Sequence, residues 1–273
     1  MKTINSNVLK LYKHHSITPL ELINNFKKEH PQYREQKMSY AGRLDPMAEG
    51  LMIILVGDEC HNKDHYLQLD KIYQLDLLWG ISTDSNDILG LITQTKPDCN
   101  PSSRTIKQIL PEFAKTFDQP YPPHSSKTIN GKPLWQWYQQ GKINKITIPT
   151  KKVTIQSIKL LSNTTISSQE LNQTIHKKIS PLNGNFNQDQ ILKQWKSFFN
   201  QTSQKSYSLT KIEVHCSSGT YMRSLAYNIG KNMTMPCLAY NIKRTQIGPH
   251  NLPKPHPHNP CSNKKHGQYT KQH

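Results

Sequence analysis

The densest apolar run in the chain, LMIILV from Leu51 to Val56, is short. Its length suits a strand buried on both faces and falls well below what is needed to cross a bilayer. Hydrophobic residues make up 34% of the 273 residues, which is enough for a core in one large domain or two small ones. The run therefore predicts a globular chain organised around at least one buried strand.

Cap and turn residues divide the chain into helices and strands that do not alternate regularly. Thr18, Pro19 and Glu21 form a capping box that begins a helix. In KIYQLDLLW, residues 71–79, the apolar side chains alternate, which predicts a strand with a buried face. The apolar stripe of GTYMRSLAYNIG predicts a short helix that ends at Gly230. Helices and strands mixed without βαβ order favour the α+β fold class.

The composition predicts one domain, from residue 1 to 249, followed by a tail. Residues 161–186 are polar and weakly periodic, which predicts a surface insertion within that domain. Residues 250–273 are rich in Pro, His and Lys and offer almost nothing to bury, as is typical of disordered segments. We therefore expect a basic, disordered tail.

Basic residues outnumber acidic ones, and the two kinds are separated along the chain. The formal net charge is +17 at pH 7. Between Gln119 and Gln169 there are seven lysines and no acidic residue, and no acidic residue follows Glu213. This separation predicts a positive face and a polyanionic partner such as nucleic acid, because binding to phosphates releases counterions. A merely soluble basic protein and an anionic membrane surface as partner are the alternatives.

Cysteine and histidine spacings predict neither a disulfide framework nor a metal site. The cysteines are odd in number and include no CxxC pair, which indicates reduced thiols in a cytosolic compartment. The N-terminal segment has no apolar signal core and no arginine, so neither a secretory nor a transit peptide is expected. His61 and His65 have the spacing of two ligands on a helix, but no third ligand is suitably spaced.

The segment YAGRLDPMAEGL, residues 40–51, places one carboxylate, Asp45, among small residues. Pro46 biases Asp45 toward an extended conformation. Gly42 and Gly50 would let a large planar ligand approach the backbone closely. Such a carboxylate could act as a nucleophile or a base, but an aspartate before proline is also a common turn residue. The local sequence leaves both interpretations open.

Two further residues are candidates for a site with Asp45. Arg223 lies in the first turn of a helix that should be buried, where a guanidinium needs a carboxylate partner. A structural ion pair or a phosphate contact is the alternative role. Tyr73 is on the apolar face of a predicted strand, where it could pack in the core or stack on a nucleobase. In residues 121–137, YPPHSSKTINGKPLWQW, lysines and aromatic residues suit RNA binding, although a surface hairpin explains them equally well.

Five segments, in order between about Leu9 and Pro249, together resemble the TruB family of pseudouridine synthases. The segments are YAGRLDPMAEGLMIILVG, LQLDKIYQLDLLWGISTDSNDILG, PPHSSKTINGKPLWQW, VHCSSGTYMRSLAYNIG and LAYNIKRTQIGP. Each resemblance is weak by itself. Because all five occur in the family's order over most of the chain, they indicate membership together.

The resemblance implies a catalytic aspartate at Asp45, an active-site tyrosine at Tyr73 and an active-site arginine at Arg223. Ile242 stands where an apolar residue lines the uracil pocket. The substrate-binding residues that follow from the resemblance are Tyr40, Gly42, Arg43, Lys127, Ile242, Lys243 and Arg244. The implied fold has a central mixed, mostly antiparallel sheet flanked by helices and loops, with the active-site cleft across the sheet. Residues 1–249 would form this catalytic domain.

The implied activity is that of an isomerase acting on the uridine of the tRNA TΨC loop. The N-glycosidic bond breaks, the base rotates and a C–C bond forms. Because breaking the bond builds positive charge at the sugar carbon, an anionic Asp45 could stabilise or trap it. Arg223 would keep Asp45 ionised, and Tyr73 would stack on the base, which must leave its own stack. No cofactor or metal is implied. We expect a cytoplasmic monomer that binds the tRNA T-arm and needs no membrane or protein partner.

Three features depart from the family pattern. Residues 13–16 read KHHS where the family often has Lys-Pro-x-Gly, which leaves the packing of this loop open. Tyr40 stands five residues before Asp45, where the family often has a histidine that helps to hold the RNA loop open. A tyrosine there can stack but cannot be protonated. The family's bacterial enzymes often carry a C-terminal PUA domain, and none is expected here, so the basic tail is a candidate substitute.

Two other functions remain as alternatives. An RNA-guided synthase for ribosomal RNA, as in the related archaeal and eukaryotic branch, would carry a PUA domain that docks the guide. A non-catalytic RNA-binding or RNA-folding protein would not need Asp45, Tyr73 and Arg223 intact. We therefore favour a stand-alone tRNA pseudouridine synthase.

Overall fold

A computed structural model describes residues 7–184 and 186–252. The strands are β1 (Val8–Lys13), β2 (Met38–Ala41), β3 (Ala48–Val56), β4 (Lys71–Trp79), β5 (Ile81–Thr83), β6 (Ile92–Thr95), β7 (Thr116–Pro120), β8 (Thr128–Ile129), β9 (Lys132–Pro133), β10 (Thr150–Ser167), β11 (Ser206–Cys216), β12 (Cys237–Ile247) and β13 (His250–Asn251). The α-helices are α1 (Pro19–Glu29), α2 (Lys63–Gln68), α3 (Ser103–Ile109), α4 (Leu134–Gln139), α5 (Ser168–Ile179), α6 (Gln188–Gln201) and α7 (Met222–Asn232). None of the described helices is long and apolar enough to span a membrane.

One large sheet runs through the molecule in the order β1-β3-β12-β4-β11-β10-β7, with β2 added to β3 and β13 added to β12. Strands β3 and β12 pair in parallel. The other pairings described in this sheet are antiparallel. The predicted α+β class with a mixed, mostly antiparallel sheet is therefore confirmed.

The two faces of β4 contribute to different cores. Tyr73, Leu75, Leu77 and Trp79 share one face, as their alternation predicts, and pack in the main core with α1, α3 and α7. Leu78 points to the other face, where α5 and α6 cover the sheet. The sheet is thus buried on both sides around its centre, where the predicted strand Leu51–Val56 is also buried.

The connection between β10 and β11 differs from the predicted surface insertion at residues 161–186. Residues 161–167 belong to β10, which pairs with β11 up to Ser167 and Ser206. Helix α5 follows and buries Leu171, Ile175 and Ile179 in the second core. These residues are four apart, so one helical stripe is apolar although the segment as a whole is polar. The segment therefore forms part of the core as well as the surface.

The structure moves two predicted boundaries. Helix α7 continues through Gly230 to Asn232. The position requires glycine because Cys237 lies close to it, and not because the helix ends there. A Cβ added at Gly230 would lie 2.5 Å from the Cβ of Cys237. The predicted tail began at residue 250, but β13 still pairs with β12 there. The rest of that segment, residues 253–273, lies outside the described residues.

Candidate active site

Asp45 lies in the loop between β2 and β3, residues 42–47, which we call the aspartate loop. The loop leaves β2 through Gly42, whose φ of +90° favours glycine. It closes with a turn in which the amide of Ala48 donates to the Asp45 carbonyl at 3.0 Å. The Asp45 side chain keeps 36% of its surface exposed. The loop thus presents a carboxylate to solvent at the start of a buried strand.

Arg223, at the second position of α7, pairs with Asp45 across 178 positions of the chain. Its Nε donates to Asp45 Oδ2 at 2.8 Å, and its Nη1 donates to the carbonyl of Ser85 at 3.1 Å. The guanidinium is almost fully buried. A buried cation needs such partners, since an unpaired buried charge is costly. The pair therefore aims the Asp45 carboxylate with a rigid, buried donor.

A second carboxylate, Asp87, approaches the same guanidinium. Its Oδ2 lies 3.7 Å from Arg223 Nε, and its Oδ1 accepts hydrogen bonds from Ser85 Oγ and the amide of Leu89. Burial raises the pKa of Asp87 to about 6, although the positive charge of Arg223 opposes the rise. Burial also lowers the pKa of Arg223, but Asp45 and Asp87 outweigh it, so that this pKa is raised. Arg223 is thus held between two carboxylates.

Tyr73 and Arg244 lie side by side on β4 and β12, where they are paired residues. Burial raises the pKa of Tyr73, so the neutral phenol is favoured. Arg244 is fully buried; its Nε donates to the carbonyl of Leu51 at 2.8 Å, and its Nη2 is 3.4 Å from the carbonyl of Gly42. Arg244 therefore fixes the aspartate loop to β3, while Tyr73 offers an uncharged ring.

Gly50 brings the parallel strands β3 and β12 close together at this point. It is paired with Arg244, and its φ is +116°. A Cβ added at Gly50 would lie 2.2 Å from the Arg244 carbonyl oxygen. The predicted role of Gly50, clearance for a ligand, is therefore wrong, because protein backbone occupies that space.

A cavity of about 620 Å³ opens beside these residues. Asp45 and Tyr73 line it, and the other predicted site residues on its walls are Tyr40, Gly42, Arg43, Ile242 and Arg244. Lys127 and Lys243 do not line it. The ammonium of Lys127 lies 5.3 Å from the centre of the Tyr121 ring, and that of Lys243 lies 5.7 Å from the Tyr12 ring. Lys243 points away because side chains alternate along β12, where Ile242 and Arg244 face the cavity.

The family model described as TruB family pseudouridylate synthase (N terminal domain) matches residues 30–186. The chain belongs to this family. It is 28% identical over 218 residues to tRNA pseudouridine synthase B of Bordetella pertussis, covering 79% of this chain and 71% of that protein. It is 29% identical over 244 residues to tRNA pseudouridine synthase B of Mycoplasma capricolum, covering 89% of this chain and 68% of that protein.

Solved structures show the same fold. The crystal structure of a Cbf5-Nop10-Gar1 complex contains a chain that aligns with a TM-score of 0.55 and 16% identity. The alignment covers 89% of this chain and 49% of that one, so this chain spans about half the length of that structural relative. The pseudouridine synthase fold expected from the TruB resemblance is therefore confirmed.

In this TruB protein, residues 13–16 (KHHS) contact the aspartate loop and the start of β3. Lys13 is fully buried, and its Nζ donates to the carbonyl of Ala48 at 2.6 Å. Burial lowers the pKa of Lys13 to about 8. Ser16 has a φ of +67°, and its amide donates to the Pro46 carbonyl at 2.9 Å. Its Oγ donates to the Lys178 carbonyl at 2.6 Å. The serine thus keeps the left-handed conformation that glycine favours and adds a hydrogen bond.

Sequence reasoning missed a second cavity of about 830 Å³ on the other side of Asp45. Asp84, Asp87 and His124 line it. Asp84 Oδ2 accepts a hydrogen bond from Tyr138 at 2.9 Å and lies 3.8 Å from His124 Nε2. Burial lowers the pKa of His124, so its neutral form is favoured. Asp84 and Asp87 follow β5 in a polar loop, and such loops are usually solvated.

Proposed function

We propose that this protein is a tRNA pseudouridine synthase that isomerises the uridine of the TΨC loop. The observation that carries the proposal is the Asp45 carboxylate, held at 2.8 Å by buried Arg223 and open to a cavity that Tyr73 also lines. Relatives that match most of this chain are named tRNA pseudouridine synthase B. Membership of the TruB family supports the reaction type.

The proposed chemistry begins with the target nucleotide turned out of its stack and into the cavity of about 620 Å³. Tyr73 would stack on the uracil, and Ile242 would give it an apolar wall. Positive charge then develops at the sugar carbon as the glycosidic bond breaks. The Asp45 carboxylate would stabilise that charge, or form a bond to the sugar carbon that breaks again when the rotated base attacks through C5. The base then loses its C5 proton, and the nitrogen that left the sugar gains one.

The proposed partner is the T-arm of tRNA, bound by a monomer. The excess of lysine over acidic residues supports an electrostatic contribution to binding. The four cysteines among the described residues are free thiols, which supports our proposal of a cytoplasmic location.

The test is to incubate the full chain with unmodified tRNA transcript, without guide RNA, and to map pseudouridine. Wild type should modify the T-loop uridine, and Asp45→Asn should not. Asp58→Asn is the matched control, because Asp58 is exposed outside both cavities and should leave product formation unchanged. No product with wild type, or undiminished product with Asp45→Asn, would refute the proposal.

A further inference from the structure

Asp45 lies at a neck between two cavities rather than at the bottom of one. The cavities of about 620 and 830 Å³ share five lining residues, namely Asp45, Pro46, His124, Trp135 and Phe186. Each cavity alone has the size that typically holds a drug-sized ligand. A single turned-out uridine therefore accounts for one cavity and leaves the other without an occupant.

The larger cavity differs chemically from the one that contains Tyr73. The carboxylates of Asp45, Asp84 and Asp87 face it, against the one guanidinium of Arg223 among its charged lining residues. This balance repels phosphate. Its remaining walls include the apolar side chains of Leu89, Leu91, Ile191, Trp135 and Phe186. Carboxylates with apolar walls suit a nucleobase, which has flat apolar faces and amino or imino donors at its edge.

Two aromatic side chains stand at the neck. Trp135 is 37% exposed and is one of four exposed large hydrophobic residues in the described chain. Phe186 is partly buried and comes from the long connection between β10 and β11. These strands are hydrogen-bonded neighbours that a short turn could join, so the helical connection is not needed for the sheet itself. The connection carries Phe186, and the N-terminal part of α6, to the wall of the site.

Hydrogen bonds and ring packing hold Phe186 in place. Its amide donates to Gln188 Oε1 at 3.0 Å, and Gln188 Nε2 donates to the carbonyls of Leu182 and Gly184 at 3.1 and 2.7 Å. The ring packs over Gly184, where an added Cβ would lie 2.9 Å from Phe186 Cε2. A ring held in this way can serve as a stacking surface with little loss of side-chain entropy.

We propose that the larger cavity binds the nucleobase next to the target uridine, and that Phe186 is the side chain on which this base packs. The inference rests on the proposed function, since it needs a polynucleotide whose reacting residue is at Asp45. It makes the β10–β11 connection a part of the RNA-binding site that determines specificity. Base–aromatic stacking contributes about tenfold or more to affinity per base.

The test measures binding of a synthetic RNA hairpin with the tRNA T-loop sequence. Two further hairpins lack the base on the 5′ side or on the 3′ side of the target uridine. Phe186→Ala should weaken binding of the intact hairpin about tenfold. Wild type should bind one of the two abasic hairpins as weakly as Phe186→Ala binds the intact hairpin. With that abasic hairpin, Phe186→Ala should lower the affinity hardly further. Phe186→Trp should restore most of the affinity.

The matched control is Phe199→Ala, which removes the same ring from α6, where it stacks on Trp195 at 5.8 Å between centroids, outside both cavities. Thermal unfolding of both variants shows whether either simply loses structure. The proposal is overturned if Phe186→Ala weakens all three hairpins equally, or weakens none more than Phe199→Ala does. The binding assay does not depend on turnover, so the two proposals can fail separately. Wild type that forms no pseudouridine contradicts the proposed function. If the loss of affinity caused by Phe186→Ala does not depend on the neighbouring base, only the assignment of the second cavity is contradicted.

Discussion

Asp87 gives the most quantitative prediction, because burial places its pKa well above the ordinary value. The rise from 3.8 to about 6 corresponds to about 3 kcal/mol of unfolding free energy. Between these pH values the folded protein binds a proton that the unfolded chain has released. The stability contributed by Asp87 is therefore present below pH 4 and is lost as the pH rises through 6.

The perturbation is Asp87→Asn, which keeps an Oδ1 acceptor for Ser85 Oγ and the Leu89 amide but cannot ionise. Urea unfolding at several pH values should show the variant gaining stability relative to wild type as the pH rises. About 1.4 kcal/mol of the gain should fall between pH 5 and pH 8. Pseudouridine formation should fall about tenfold or more, because Arg223 loses a carboxylate that positions it against Asp45.

The control is Asp76→Asn. Burial also raises the pKa of Asp76, but this carboxylate faces Lys211 at 3.7 Å and lies outside both cavities. This variant should change the pH dependence of stability in the same direction and leave product formation unchanged. If the unfolding free energies of wild type and Asp87→Asn change in parallel with pH, the reasoning is refuted. Ionisation of buried Asp87 would then not destabilise the folded protein.

Three further predictions concern the support of the aspartate loop. Lys13→Met should lower the unfolding free energy by about 2 kcal/mol, measured in urea, because the Ala48 carbonyl directly after that loop loses its buried donor. Ser16→Ala should be about 1 kcal/mol less stable than Ser16→Gly by the same measurement, since both lose the hydroxyl but only alanine is strained at a φ of +67°. Gly50→Ala should prevent normal folding, judged by soluble yield and circular dichroism, because its Cβ would overlap the Arg244 backbone. Gly141→Ala, with open space around the added Cβ, is its control.

Local patterns were sufficient for much of the fold. The capping box at Thr18 forms as predicted, with Glu21 Oε2 accepting from the Thr18 amide at 2.6 Å. The alternation of β4 also separates its two faces as predicted. Both patterns depend on neighbours within a few residues, so a single sequence contains them. The stripe of α5 was weaker, because three buried residues are diluted by a polar segment.

The sequence predicts residues of the candidate site only where they lie in a recognisable motif. Local sequence makes Asp45, Tyr73 and Arg223 candidates with alternative roles, and the family resemblance assigns them roles that stay predictions. The burial of Asp87 depends on elements far away in sequence, so the local sequence does not indicate it. Phe186 lies in a polar stretch, and nothing local indicates that this stretch returns to the site.

The parallel pairing of β3 and β12 links a late strand of the sheet to the strand that directly follows the aspartate loop. Gly50 lets the β12 backbone approach, which places Arg244 under the aspartate loop and Ile242 on the cavity wall. Part of the support of the aspartate loop thus comes from β12, almost 200 residues later in the chain, through Arg244. Because that contact is so distant in the chain, it forms at a high entropic cost. The geometry of the site therefore depends on the topology of the sheet as well as on local sequence.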